Sequence, residues 1–96
     1  MVFLANLSID EILEQIKRIS QKYQIEHLYL FGSYATGTAT DASDIDIIIK
    51  GGKNIRQFKN EIDNIRTLKK IDIFEYEKCR NDYLKEDMDK YGKQIY

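Results

Sequence analysis

The 96-residue chain has one cysteine, no proline, no marked excess of charge of either sign and no long hydrophobic run. Each shortage excludes something. A single thiol, Cys79, cannot build an internal disulfide framework, which points to a reducing, cytoplasmic setting. No apolar run approaches the roughly 18 residues needed to span a bilayer, so no membrane partner is expected. The opening Met1-Val2-Phe3-Leu4 is too short for a signal peptide and has no basic flank. Fifteen basic side chains against sixteen acidic ones leave a net charge of −1. General nucleic-acid binders usually carry a clear basic excess, so no direct nucleic-acid contact is expected. Without proline, low-complexity tracts or repeats, nothing marks a linker or an array. Residues 1–96 read as a single domain with one modest core and little spare chain for a separate substrate-binding module.

What is present is ordinary globular composition, 43% hydrophobic and 32% charged. Ser8-Ile9-Asp10-Glu11 is a capping box. Ile9, Ile12, Leu13, Ile16 and Ile19 then recur at helical spacing, which predicts a helix from Ile9 to Lys22. His27 to Phe31 reads as a strand, Ser33 to Gly37 as one helical turn, and Thr38 to Ser43 as loop. A second strand runs from Asp44 to Lys50, and a second long helix from Asn54 to Leu68. Ile71 to Tyr76 is a third strand. Arg80 to Lys90 is a final helix with Tyr83, Leu84 and Met88 on its buried side, and Lys93 to Tyr96 a short terminal strand. The alternation predicts an α/β (α+β) chain: a sheet with helices packed against it.

The chemistry gathers in one stretch, Gly32-Ser33-Tyr34-Ala35-Thr36-Gly37 followed by Asp44-Ile45-Asp46. Side chains two apart on a strand share a face, so Asp44 and Asp46 point one way and Ile45, Ile47 and Ile49 the other. Two carboxylates about 7 Å apart gain nothing from packing. A divalent cation offsets their repulsion, and oxygen-only ligands suit magnesium, with manganese as the alternative. Asp72 alternates with Ile71 and Ile73 in the same way. If its strand pairs beside the second, three carboxylates converge, enough for two metal ions and in-line phosphoryl displacement. Gly32 lets a phosphate approach the backbone, and the Ser33 hydroxyl and the first helical amides favour anions.

Gly32-Ser33, ten intervening residues, Asp44-Ile45-Asp46 and then Asp72 resemble the nucleotidyltransferase superfamily of DNA polymerase β. The short chain is similar to the minimal nucleotidyltransferase (MNT) proteins, the MntA-like antitoxins of HEPN/MNT toxin–antitoxin systems. The resemblance implies the polymerase β-like fold, a small mixed sheet flanked by helices. It implies an enzyme, a metal-dependent protein adenylyltransferase that moves AMP from ATP to a tyrosine of a HEPN toxin partner and so silences it. By that resemblance Asp44, Asp46 and Asp72 are catalytic and hold magnesium, while Gly32 and Ser33 bind the nucleotide. Thr36 departs from a pattern that often has a basic residue there. The alternatives are an antitoxin that neutralises by binding alone, or a nucleotidyltransferase acting on a small molecule or an RNA end.

Other residues carry weaker expectations. Asp41 fits a turn-forming role. Tyr34 is either a stacking or partner-facing residue or a partly exposed turn tyrosine. Tyr83 and Tyr91 read as core, with a partner-facing role as the alternative, His27 as surface and Cys79 as a packed thiol. The basic residues from Lys53 to Lys70 read as a solvated face, with Lys69 or Lys70 reaching phosphate as the alternative.

Overall fold

The computed structural model describes residues 8–40, 42–79 and 82–96, with only the backbone of Leu84 included. Helix α1 spans Ile9–Lys22, as its capping box predicts. The Ser8 Oγ accepts the Glu11 N–H at 3.2 Å and donates to the Glu11 carboxylate at 3.1 Å, so the serine caps the helix and the glutamate folds back onto it. Ser8→Ala is expected to cost about 1 kcal/mol, read as a lower urea midpoint with an unchanged slope.

The remaining elements are β1 (Ile25–Phe31), α2 (Ser33–Thr36), β2 (Ile45–Gly51), α3 (Ile55–Asp63), β3 (Ile71–Glu75), a 3-10 turn (Tyr76–Lys78), α4 (Asp82–Tyr91) and β4 (Lys93–Gln94). The sheet order is β3-β2-β1-β4. Strand β2 runs antiparallel to β1 and parallel to β3, and β4 runs antiparallel to β1. The sheet is therefore mixed, with α3 forming the crossover between its two parallel strands.

Strand parity assigns the two faces. One carries Leu28, Leu30, Ile45, Ile47, Ile49, Ile71 and Ile73, and it packs under Ile12 and Ile16 of α1 and Phe58 and Ile62 of α3. This is the main core, and the expected isoleucine face lies in it. Lys22 Nζ and the Tyr23 hydroxyl both donate to Glu61 Oε1, at 2.7 and 2.5 Å, and tie α1 to α3. The opposite face carries Asp46 and Asp72 at one end. Beyond them Ile48 is buried at 1% exposure, and Met88 of α4 packs nearby at 4%. Tyr29, Ile48, Lys50, Tyr76 and Met88 surround a small cavity of about 140 Å³ there.

Several boundaries differ from expectation. Strand β1 begins two residues before His27, at Ile25. Strand β2 begins at Ile45, which leaves Asp44 just before the strand. Helix α3 stops at Asp63 rather than Leu68. The Thr67 Oγ1 accepts the Lys69 N–H at 3.0 Å, a local side-chain turn that competes with helix, and Leu68 is left 93% exposed. The β4 pairing is two residues long, although Ile95 and Tyr96 still bond the backbone of Leu28.

Tyr83 and Tyr91 are not core residues; they are 82% and 50% exposed. Helix α4 buries Met88, and Tyr83 lies about 140° around the helix from it, facing away from the sheet. His27 is exposed and Cys79 only half-buried. Asp41, Arg80, Asn81 and the Leu84 side chain lie outside the described residues.

Candidate active site

The site is built where β1 ends and where β2 and β3 begin. Cross-strand register aligns Phe31 with Asp46 and Asp46 with Asp72 in one row on one face of the sheet. The adjacency of β2 and β3, on which the convergence of Asp72 depended, is therefore present. The chain leaves β1 through Gly32 and turns at once into α2.

Gly32 has φ 73° and ψ −151°, a backbone conformation essentially restricted to glycine. A Cβ built there would lie 2.5 Å from Asp46 Oδ2. The acidic side chain thus occupies the space that the missing side chain leaves, and backbone and carboxylate sit directly together. Helix α2 is a single turn, closed by Gly37 in the left-handed conformation. The Gly32 carbonyl accepts the Ala35 and Thr36 N–H groups at 3.0 and 3.2 Å, so the turn's first amides, Ser33 and Tyr34, precede its internal bonds. The Thr36 Oγ1 sits 3.4 Å from the carbonyls of Gly32 and Ser33 and 2.9 Å from Thr38 Oγ1. Thr36 is thus engaged in knotting its own turn. Tyr34 is half-buried, with its hydroxyl 3.5 Å from the Thr40 carbonyl.

Burial, then the Asp72 charge, a hydrogen bond with Asp72 and the Asp44 charge all push the Asp46 carboxyl above the ordinary aspartate range. The Lys70 ammonium opposes that push. Lys70 Nζ lies 3.5 Å from Asp72 Oδ1. Asp46 and Asp72 are both half-buried, whereas Asp44 is exposed. Among the described residues, no three acidic, histidine or cysteine side chains already stand close enough to grip one metal ion. The geometry brings Asp46 and Asp72 together beside Gly32 and leaves Asp44 at the rim. An electrostatically strained acidic pair beside a small-residue turn is a place that gains from added positive charge.

The comparisons extend this geometry. A family model described as "Polymerase beta, Nucleotidyltransferase" matches residues 14–96. The chain belongs to the polymerase β nucleotidyltransferase family. It is 35% identical over 88 residues to "Putative protein adenylyltransferase MJ1379" of Methanocaldococcus jannaschii, covering 84% of this chain and 88% of that protein. It is 31% identical over 87 residues to "Putative protein adenylyltransferase MJ0126" of the same organism, with the same coverage. Its fold is similar to that of a toxin–antitoxin crystal structure with AMP-PNP, at TM-score 0.65 and 23% identity over 86% of this chain and 71% of that one. It is also similar to a mutant of the toxin–antitoxin pair MntA-HpeT, at TM-score 0.62 and 19% identity over 86% and 70% of the two chains. The small mixed sheet with the four helices of the described residues is thus the nucleotidyltransferase fold of this family.

The sequence reads Lys70 as part of a solvated face, with phosphate contact as the alternative. Lys70 precedes β3, so strand parity does not place it; its 3.5 Å approach to Asp72 Oδ1 does.

Proposed function

We propose that this chain is an antitoxin nucleotidyltransferase that transfers AMP from ATP to a tyrosine hydroxyl of a HEPN-family toxin and so neutralises it in the cytoplasm. The observation that carries the reading is the Asp46–Asp72 pair set against Gly32. Family membership supports nucleotidyl transfer, and the adenylyltransferase relatives support a protein acceptor. The toxin–antitoxin complexes that share the fold support the kind of partner.

The residues fit a magnesium ion or its manganese substitute. The donors are all carboxylate oxygens, and the pair is short of positive charge. Asp46 and Asp72 would hold it, with Asp44 turning in from the rim to complete a two-ion site. The metal, when bound, would neutralise the phosphates and polarise the reacting phosphorus. The protein's own groups do the rest. Ser33 Oγ and the opening amides of α2 donate to phosphate oxygens, and Gly32 keeps the approach clear. Asp72 accepts the proton of the attacking tyrosine hydroxyl as the α-phosphorus changes partner and pyrophosphate leaves.

The test incubates the purified chain with α-labelled ATP, magnesium and a HEPN-family toxin from the same genome. Label on the toxin, with loss of its RNase activity, is the expected result. A toxin that stays unlabelled under conditions where it is neutralised would refute the transfer reading.

The engagement of Thr36 with its own turn favours a second reading, in which the chain neutralises by binding and the site turns over weakly. Complete neutralisation by the Asp44→Ala/Asp46→Ala double variant without ATP would select it.

A further inference from the structure

Lys70 is fixed at its root, and its side chain stays largely exposed while its tip pairs with Asp72. The Ile45 N–H donates to the Lys70 carbonyl at 2.8 Å, which ties the entry of β3 to that of β2. From just before β3, the side chain turns toward the acidic pair. Its Nζ reaches 3.5 Å from Asp72 Oδ1, yet 71% of the side chain stays exposed. Thr67, Lys69 and Lys70 also line a cleft of about 200 Å³ between the end of α3 and the start of β3. From the same segment Lys69 extends over Tyr34 of α2, with its Nζ 5.5 Å from the ring centroid. The segment therefore reaches from β3 across to the glycine-serine turn.

An ammonium on Asp72 occupies the position that a divalent cation would take. The two cations repel one another across the same carboxylate, so a metal on Asp72 weakens the hold of Lys70 there. A lysine displaced by metal would keep its root and stay within reach of phosphates bound at the same site. We infer that Lys70 is the counter-cation of Asp72 in the metal-free state, yields that place when metal binds, and then sets its ammonium against the phosphates of the bound nucleotide. This rests on the nucleotidyl-transfer reading and assigns a further binding residue to it. In the transfer, the bond from the α-phosphorus to the bridging oxygen breaks and a bond to the acceptor oxygen forms. The acceptor's proton goes to a base and the negative charge leaves on pyrophosphate. Lys70 exchanges no proton in this scheme; it supplies positive charge beside the departing group.

Lys70→Met keeps the stem and removes the charge. Two titrations of the purified full chain read the two halves of the inference. For manganese alone, the affinity of the variant is expected to rise about threefold, because a competing cation is gone. For a non-hydrolysable ATP analogue at saturating manganese, the affinity is expected to fall about tenfold. Lys70→Arg should keep nucleotide affinity within about twofold of the parent, since the charge is retained. The opposite signs are decisive, because a merely structural lysine would weaken both constants together. Joint weakening, or no change in either, overturns the inference while wild-type binding leaves the transfer reading standing. A wild-type chain that binds neither manganese nor the analogue overturns both. Lys70→Gln should repeat the pattern and guards against an effect of methionine itself.

Discussion

Asp46→Asn is expected to abolish nucleotidyl transfer while making the metal-free protein more stable at neutral pH. The two effects have one cause. Burial, Asp72 and Asp44 hold the Asp46 carboxyl above its ordinary range, so its charged form is disfavoured in the fold. A carboxyl whose folded value is raised binds its proton more tightly when folded than when unfolded. Stability from this group is therefore intact below the ordinary aspartate value of 3.8 and is lost as pH rises through the folded value. Asparagine removes that penalty and keeps the shape. In EDTA, the Tm of Asp46→Asn should exceed that of the parent at pH 8, and the gap should close below pH 3.8. Transfer activity should fall by at least about 100-fold, since losing partners of metal ligands already costs 10–100-fold and Asp46 is proposed as a ligand itself. A variant that is inactive but less stable at pH 8 would mean that Asp46 acts through structure and not through charge. A variant that keeps full activity would remove Asp46 from the site.

The sequence carried the two ends of this arrangement more clearly than its middle. Helix α1 was legible to the residue because a capping box and an isoleucine stripe agree, and both are local signals. The shared face of Asp46 and Asp72 followed from strand parity once β2 and β3 were neighbours. That adjacency is long-range and entered only as a condition; the α3 crossover supplies it. What local pattern could not show was where competing local bonds win. The Thr67 side chain takes the Lys69 N–H and ends the helical reach toward Leu68. Nor could periodicity tell which stripe of the short α4 faces the sheet. Tyr83 looked as apolar as Met88, but Met88 is the one buried beside Ile48, whereas Tyr83 is turned to solvent. Ile48 is itself instructive. By parity it belongs with the aspartates, so that face is polar at one end and apolar at the other.

That division explains why the acidic pair can be strained without unfolding the sheet. The main core beneath Ile45, Ile47 and Ile49 and the small contact at Ile48 both flank Asp46 along β2. The strand is pinned on each side of the unfavourable charge, and the charge is left available for a ligand.

Gly32→Ala tests the other half of the site and should be damaging in two separable ways. The backbone there, at φ 73° and ψ −151°, suits glycine alone, and forcing alanine into it costs about 1–3 kcal/mol. The added methyl would also stand 2.5 Å from Asp46 Oδ2. That oxygen ends a side chain, so the carboxylate would give way and swing off its present line. Misplacing a reacting group by about 1 Å costs about 100-fold in rate, and a drop of that order in transfer is expected. Gly37→Ala separates strain from collision. Gly37 also has a positive φ, 78°, but nothing lies within 4 Å of its missing Cβ. It should lose about 1–2 kcal/mol of stability, read in urea, with transfer nearly unchanged at a temperature where both variants are folded. Equal losses of activity in the two variants would show that the turn matters only as a hinge of the fold. Loss confined to Gly32→Ala would show that the open space beside Asp46 is what the reaction uses.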